Sequence, residues 1–144
     1  MAYQYEYPRP AVSVDMVVFR KLNATLNVLL IQRKKEPFAD CWALPGGFMD
    51  RDETLESAAR RELQEETGLV ADEIKQIHTF SAVNRDPRGR VVSVAFLAEV
   101  DSTQKAVAAD DAKNAVWFPL EDLPSLAFDH DQMIQAALDR YELN

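Results

Sequence analysis

The chain has 144 residues, 47% of them hydrophobic, so it is long enough for one domain, spanning 1–144, with a buried core. Its 24 acidic and 16 basic residues leave a net charge of -8, which argues against a general nucleic-acid-binding protein. One cysteine excludes an internal disulfide bond, and no signal peptide or membrane-spanning stretch is recognisable, so we expect a cytoplasmic protein with neither nucleic-acid nor membrane partners.

Hydrophobic patterning divides the first third of the chain into short elements. It predicts, in chain order, a valine-rich strand, a hairpin turn, a buried strand, a charged loop, a short apolar piece and a glycine turn over residues 11–19, 21–25, 26–32, 33–40, 42–44 and 45–47. The clearest helix follows over 54–67. Asp52 or Thr54 is expected to cap its start, and Gly68 followed by Leu69 is expected to end it.

Strands and one more helix are predicted in the remainder. In chain order these are a strand, a turn, an apolar strand, a polar loop or short helical stretch, a short strand and a closing amphipathic helix over 74–83, 84–89, 90–100, 104–113, 115–118 and 129–141. Because strands and helices are mixed along the chain without repeats or linkers, the pattern predicts a layered α/β or α+β domain.

Three glutamates near the end of the first predicted helix, Glu62, Glu65 and Glu66, stand at i, i+3 and i+4. This spacing puts them on one helical face with Cβ atoms about 5–6 Å apart, where their charges repel one another. Most such clusters are solvated acidic faces. Here, however, Glu62 and Glu66 fall within the apolar stripe of the helix, and Glu65 lies at its margin. The stripe is formed by Leu55, Ala58, Ala59 and Leu63.

The charges in this stripe need a partner, since buried charges are paired or bound to metal. Arg60 and Arg61 lie away from the stripe, so we do not expect them to neutralise it. Clustered carboxylate oxygens are ligands that suit Mg²⁺ or Mn²⁺. The glycine turn at 45–47 lets backbone approach closely, because glycine has no Cβ. The pattern therefore predicts a divalent-metal site beside this turn.

Residues 47–69 have the sequence GFMDRDETLESAARRELQEETGL. The segment matches the pattern G-x5-E-x7-R-E-U-x-E-E-x-G-U, where U is aliphatic, at all nine specified positions: Gly47, Glu53, Arg61, Glu62, Leu63, Glu65, Glu66, Gly68 and Leu69. This pattern is the Nudix box, and the chain therefore resembles Nudix hydrolases, which use divalent metal ions to cut the phosphoanhydride bond of nucleoside diphosphate derivatives. The resemblance implies the Nudix fold, a mixed β-sheet sandwiched between helices.

The resemblance also implies roles for individual residues. Glu62, Glu65 and Glu66 are expected to bind the catalytic metal, Mg²⁺ or Mn²⁺, with the Gly47 carbonyl completing a coordination sphere. Arg61 is expected to orient the glutamates through a salt bridge. A homodimer is expected from the family resemblance as well.

The general base that activates the attacking water is not fixed in position within the family. Glu53, inside the box, is the first candidate. Glu99, Asp110 and Asp111 are the other candidates, from later segments, and for the two aspartates a solvated loop is an equal alternative.

The segment 84–90, with Pro87, resembles the ADP-ribose pyrophosphatase branch, so the expected reaction is hydrolysis of ADP-ribose to AMP and ribose 5-phosphate. Four residues are predicted to bind this substrate: Arg33, Gly46, Arg85 and Arg88. The arginines are chosen because their forked guanidinium groups suit phosphates, and surface turns are the alternative explanation for each. Phe19, Phe38 and Phe128 are candidates for stacking on adenine, with a core or loop role expected first for each. For His130, at the predicted helix start, a capping or structural role is expected.

Other functions remain open at this stage. The substrate is alternatively another nucleotide sugar, a dinucleotide polyphosphate or a damaged nucleoside triphosphate. From a different class, the chain is alternatively a non-catalytic nucleotide-sensing module, since relatives of this branch include transcriptional regulators with a winged DNA-binding domain. We expect no such domain here, because the chain ends soon after the closing helix, and the intact box favours an enzyme.

Overall fold

The computed structural model describes residues 2–106 and 112–143, in which seven strands and two helices are found. In chain order they are β1 (Ala11–Leu22), β2 (Thr25–Arg33), β3 (Trp42–Ala43), β4 (Gly46–Phe48), α1 (Leu55–Thr67), β5 (Lys75–Phe80), β6 (Val91–Glu99), β7 (Ala112–Pro119) and α2 (His130–Glu142).

The strands form one mixed sheet with the order β3-β2-β1-β6-β5, to which β4 is added through β1 and β7 through β2. The central pair, β1 and β6, runs parallel. The other neighbours run antiparallel. Central strands are covered on both faces and are therefore apolar throughout, which explains the near-continuous hydrophobic runs in β1 and β6.

The two helices cover opposite faces of this sheet. Because side chains alternate across a strand, Val14, Met16 and Val18 of β1 face the core that contains α1, while Val17 and Phe19 face the core that contains α2. The predicted mixed sheet between helices is therefore confirmed as an α/β/α sandwich. Among the described residues, neither helix is long and apolar enough to cross a membrane.

The predicted limits of α1 are confirmed by its caps. The Thr54 hydroxyl accepts a hydrogen bond from the Ser57 amide at 3.1 Å, so Thr54, not Asp52, is the N-cap. Gly68 ends the helix with a left-handed φ of 74°, and Leu69 beyond it is 1% exposed. These caps hold the glutamates of the box in a fixed register along the helix.

Four segments differ from the prediction. The strand β1 continues to Leu22, so the predicted hairpin turn at 21–25 is wrong in part and only residues 23–24 separate β1 from β2. The predicted turn at 45–47 is wrong in part, because Gly46–Phe48 forms β4 against β1, which supplies backbone partners that a sequence pattern does not reveal. The strand β7 begins at Ala112, earlier than predicted, and pairs along β2. The strand β5 ends at Phe80, well before residue 83. Of the predicted polar loop at 104–113, residues 107–111 lie outside the described residues.

Candidate active site

A cleft of about 490 Å³ opens where α1, β4 and the start of α2 meet. This volume lies in the usual range for small-molecule sites. Four of the lining residues, called the acidic wall, are Asp15, Glu62, Glu65 and Glu66. A basic and aromatic set, called the basic wall, comprises Arg33, Lys34, Lys35, Arg85, Arg88 and Phe128, and Glu36 and Asp86 also line the cleft. A cleft lined by side chains of both charges suits a ligand that brings a cation and phosphates together.

Glu66 lies in the acidic wall, and its side chain turns inward as the helical wheel predicted. It is 8% exposed, and its Oε1 accepts a hydrogen bond from the Gly46 amide at 2.8 Å. Burial, together with the neighbouring Glu62 and Asp15 carboxylates, raises the pKa of Glu66 to about 9 and outweighs the opposing effect of the Gly46 amide. A cation placed here would stabilise the ionised carboxylate.

Glu62 lies one turn before Glu66 and packs against β4. A Cβ built on Gly47 would meet the Glu62 carboxyl carbon at 2.6 Å, so the close approach of this carboxylate depends on glycine. The side chain of Glu62 is 15% exposed. Burial raises its pKa, although the ion pair with Arg61 opposes this shift. Glu62, Glu66 and the Gly47 backbone thus line one corner of the cleft.

Arg61 is the centre of a charge network beside this corner. Its guanidinium donates to both oxygens of Glu53, at 2.6 and 2.9 Å, and to Glu62 Oε1 at 2.9 Å and Glu65 Oε2 at 3.2 Å. The expectation that Arg61 stays away from the stripe is therefore wrong for Glu62, because the long arginine side chain reaches the carboxylate of this next residue. The contacts agree with the predicted orienting salt bridge.

Glu53 is held by Arg61 and does not line the cleft. The hydrogen bonds from Arg61, with a further one from the Asp50 amide, lower the pKa of Glu53 to about 2. In this geometry both oxygens of Glu53 are engaged by Arg61, and the expected role of Glu53 as general base stays a prediction. Glu65 also turns to Arg61, and its side chain is 51% exposed.

The other candidate bases lie elsewhere. Glu99 lines a different surface hollow and accepts a hydrogen bond from the Tyr141 hydroxyl at 3.1 Å. Asp110 and Asp111 lie outside the described residues.

Asp15 and His130 join the site although the sequence analysis did not assign them to it. Asp15, 7% exposed, accepts a hydrogen bond from the Ser93 hydroxyl, and its Oδ1 lies 3.4 Å from His130 Nε2. His130 Nδ1 accepts from the Leu44 amide at 3.0 Å. Burial lowers the pKa of His130, so the imidazole is neutral with its proton on Nε2. A signal existed for Asp15, since it is a charged residue inside a valine-rich strand.

The three predicted phosphate-binding arginines have different environments. Arg85 reaches the cleft wall, but its side chain is 3% exposed and forms a bidentate ion pair with Asp129, at 2.6 and 2.9 Å. Arg88 is paired with Asp86 at 2.7 Å, yet its side chain stays 42% exposed. The Arg88 guanidinium lies 5.4 Å from the centre of the Phe128 ring, and that of Arg33 lies 5.1 Å from it. Arg33 and Arg88 thus lie beside an aromatic ring that lines the cleft, whereas the guanidinium of Arg85 is engaged by Asp129.

The acidic corner fits a divalent cation by the chemistry of its donors. Among the described residues, no group of three acidic, histidine or cysteine side chains is already arranged to hold a metal ion. Glu65 contacts Arg61, and Glu66 accepts a hydrogen bond from the Gly46 amide. Buried Glu66 and partly buried Glu62, whose pKa values are both raised, nevertheless form an oxygen-rich corner where a cation would favour the ionised carboxylates. Mg²⁺ is commonly held by one or two carboxylates together with substrate phosphates.

Comparison with known proteins identifies the family. The model of the NUDIX domain matches residues 9–137. The chain belongs to the NUDIX domain family. The prediction made from the box is thereby confirmed.

Individual relatives indicate which branch of the family the chain resembles. The chain is 46% identical over 129 residues to an ADP-ribose pyrophosphatase of Methanocaldococcus jannaschii, covering 90% of this chain and 73% of that protein. It is 36% identical to an ADPR responsive transcriptional repressor of Acinetobacter baylyi, covering 94% of this chain and 56% of the repressor. The NUDIX domain of Shewanella oneidensis NrtR, in a cocrystal structure with ADP ribose, superposes with a TM-score of 0.88 at 37% identity, covering 94% of this chain and 90% of that one.

These relatives confirm the resemblance to the ADP-ribose pyrophosphatase branch and support the expected enzyme class, a Nudix pyrophosphohydrolase. They also include a repressor, so the expected absence of nucleic-acid partners stays a prediction.

Proposed function

We propose that this Nudix protein is a metal-dependent pyrophosphohydrolase that cleaves ADP-ribose to AMP and ribose 5-phosphate, with Mg²⁺ or Mn²⁺ as the cofactor. The observation that carries the proposal is a cleft lined by both acidic and basic side chains. Buried Glu66 and partly buried Glu62 form its acidic corner, and Arg33 and Arg88 line the same cleft beside Phe128. The likeness to an ADP-ribose pyrophosphatase and to an ADP-ribose-bound NUDIX domain supports the same substrate.

Each wall has its own task in this mechanism. Glu62 and Glu66 would hold the metal, together with the Gly47 carbonyl, while Glu65, the third glutamate predicted as a ligand, contacts Arg61 beside them. When bound, the metal would neutralise phosphate charge and lower the pKa of a water molecule. Arg61 keeps Glu62 in place by the hydrogen bond at 2.9 Å. These residues build the site before substrate arrives, so little reorganisation is needed during the reaction.

The basic wall binds and orients the substrate. Arg88 is half exposed, which leaves its guanidinium able to pair with a phosphate oxygen. Phe128 offers an aromatic surface for the adenine ring, flanked by Arg33 and Arg88. The Gly46 amide is engaged by Glu66, so Gly46 contributes to the cleft wall by its small size more than by a free donor.

A panel of nucleotides tests this function. ADP-ribose, a nucleotide sugar, a dinucleotide polyphosphate and a damaged nucleoside triphosphate are each incubated with Mg²⁺ or Mn²⁺, and products are separated by chromatography. We expect preferential conversion of ADP-ribose to equal amounts of AMP and ribose 5-phosphate. A higher kcat/KM for a triphosphate would overturn the substrate assignment.

A second candidate function is an ADP-ribose sensor, favoured by the likeness to an ADPR responsive repressor. The intact box argues for the enzyme, since Glu62, Glu66 and Arg61 are all present and in contact range. The same panel separates the two functions. Tight binding of ADP-ribose by calorimetry without turnover under either metal would support the sensor. The cytoplasmic location and the homodimer stay predictions.

A further inference from the structure

His130 lies 86 residues after Leu44 in sequence, yet it contacts the segment that leads into Gly47, the first residue of the Nudix box. The histidine is the first residue of α2 and is 4% exposed. Its Nδ1 accepts the hydrogen bond of the Leu44 amide at 3.0 Å. A buried backbone amide requires such an acceptor. The first residue of the closing helix thereby contacts the entrance to β4.

Each residue from Leu44 to Gly46 makes a hydrogen bond that positions its backbone, and Gly46 is also paired with β1. The Leu44 amide donates to His130, the Pro45 carbonyl accepts from the Met16 amide at 2.8 Å, and the Gly46 amide donates to Glu66 at 2.8 Å. Because Pro45 has no amide hydrogen, the Leu44 bond is the anchor from α2 on this segment. The position of Leu44 therefore affects how the Gly46 amide meets the Glu66 carboxylate.

The orientation of the imidazole is set from its other side. The Nε2 atom faces Asp15 Oδ1 at 3.4 Å, and Ser93 donates a hydrogen bond to the same aspartate. Asp15 lies opposite Gly46 in the pairing of β1 with β4. A carboxylate that faces one ring nitrogen keeps the proton there and leaves the other nitrogen as the acceptor.

We propose that His130 is a positioning residue for the metal site: by accepting the Leu44 amide it holds the backbone of residues 44–47, and so keeps the Gly46 amide and the Gly47 carbonyl in register with Glu66. This proposal rests on the proposed function, because it concerns the affinity of the acidic corner for a divalent cation.

Two substitutions separate the two nitrogens of His130. In His130→Asn, the amide oxygen takes the place of Nδ1 and keeps an acceptor for Leu44, but the side chain is too short to reach Asp15. In His130→Gln, the longer side chain places its amide near Nε2, toward Asp15, without an acceptor at the Nδ1 position. His130→Ala removes both contacts and serves as the reference for lost packing.

The measurements are Mn²⁺ affinity by electron paramagnetic resonance and exchange of the Leu44 amide by NMR in EDTA. We expect His130→Asn to keep slow exchange and an affinity close to wild type. His130→Gln and His130→Ala should exchange faster and bind Mn²⁺ about tenfold more weakly, as is usual when a residue supporting a metal ligand is lost. Equal affinities in all three variants, or an affinity retained by Gln and lost by Asn, would overturn the proposal.

The two readouts also separate this proposal from the proposed function. If wild-type protein binds no Mn²⁺ and turns over no nucleotide, the proposed function fails. Slow exchange of Leu44 in wild type and His130→Asn, but not in His130→Gln, would still support the contact on which the positioning role depends. Fast exchange of Leu44 in wild type would contradict that contact whatever metal is bound.

Discussion

Glu66 combines a charge with a buried position. Its side chain is 8% exposed and lies close to Glu62 and Asp15, so ionisation is costly and the pKa rises to about 9. Ordinary selection for stability would replace such a residue with an apolar one. Its presence at the end of α1 agrees with a role that needs an ionised oxygen ligand, and the cost is removed only when a cation arrives.

The substitution Glu66→Gln tests both the cost of ionising this buried carboxylate and the need for an ionised ligand. The raised pKa of Glu66 lets the folded protein retain this proton up to about pH 9, whereas the unfolded chain releases it near the ordinary pKa of 4.5. The contribution of this group to the free energy of unfolding is therefore full at low pH and is lost as the pH rises through this window. In EDTA, the melting temperature of wild type should fall more steeply with pH than that of Glu66→Gln.

The same substitution should lower kcat by orders of magnitude with Mg²⁺ while circular dichroism stays unchanged, because glutamine is a poor metal ligand. Glu56→Gln, in the first turn of α1, is the control and should behave like wild type. Near-normal turnover by Glu66→Gln would refute its assigned role, and parallel pH profiles in EDTA would contradict the raised pKa.

The strand β4 packs closely against both β1 and α1. Of its two glycines, Gly46 lies against β1 and Gly47 lies against α1. A Cβ on Gly46 would meet the Val14 carbonyl oxygen at 2.2 Å, which belongs to the backbone of β1. A Cβ on Gly47 would meet the Glu62 carboxyl carbon at 2.6 Å, which belongs to a side chain of α1. Backbone cannot move aside without breaking strand pairing, whereas a side chain can rotate.

Alanine at each glycine should therefore have a different effect. Gly46→Ala should lower the free energy of unfolding by about 1–3 kcal/mol, the range for overpacking. Gly47→Ala should remain nearly as stable as wild type but lose Mn²⁺ affinity and kcat, because Glu62 is displaced. Urea unfolding and metal titration of both variants measure this, and equal stability losses would contradict it.

The loop before β6 and the start of α2 are joined by the ion pair of Arg85 with Asp129. Both side chains are largely buried, at 3% and 12% exposure, and the pair is bidentate. Arg88 lies three residues further on and is 42% exposed. Two arginines that the sequence makes equivalent as phosphate ligands thus differ in what their removal would do.

Arg85→Ala should cost about 3–5 kcal/mol, because it leaves the Asp129 charge buried without its partner. Arg88→Ala should cost less, because Asp86, although its side chain is 2% exposed, keeps the hydrogen bond from the backbone amide of residue 88. It should, however, raise the KM for ADP-ribose. Thermal unfolding and steady-state kinetics distinguish the two. A raised KM with intact stability in Arg85→Ala would restore Arg85 as a substrate ligand.

Across the whole molecule, exposed aromatic residues are concentrated at the N-terminus. Tyr3, Tyr5 and Tyr7 are 56%, 51% and 72% exposed, and Arg9 lies over the Tyr5 ring at 4.0 Å. Aromatic residues and arginine are enriched in protein interfaces. These residues are therefore candidates for the homodimer that the family resemblance implies.

Light scattering measures the oligomeric state directly. We expect twice the chain mass of 16.3 kDa for wild type, and a shift toward the single-chain mass when the three tyrosines are replaced by serine. A monomer at working concentration in wild type would contradict the predicted homodimer.

The features that could be predicted from the chain are those encoded within one element. The spacing of Glu62 and Glu66, the Thr54 and Gly68 caps and the alternation in β1 are local patterns, and helix and strand geometry converts them directly into faces and ends. The box also contains acidic partners of Arg61. Glu53 lies just before α1, and Glu65 lies one turn after Arg61.

Contacts between segments that are distant in sequence could not be predicted from local patterns. Asp15 meets His130, Arg85 meets Asp129, and Gly46 becomes a strand residue because β1 lies beside it. Each depends on how the sheet brings β1, β4 and α2 to one cleft, and the partner of a buried polar group is chosen by that packing and not by its own neighbours in sequence. The chemistry of the acidic corner is therefore local in origin, while its support comes from the assembled layers.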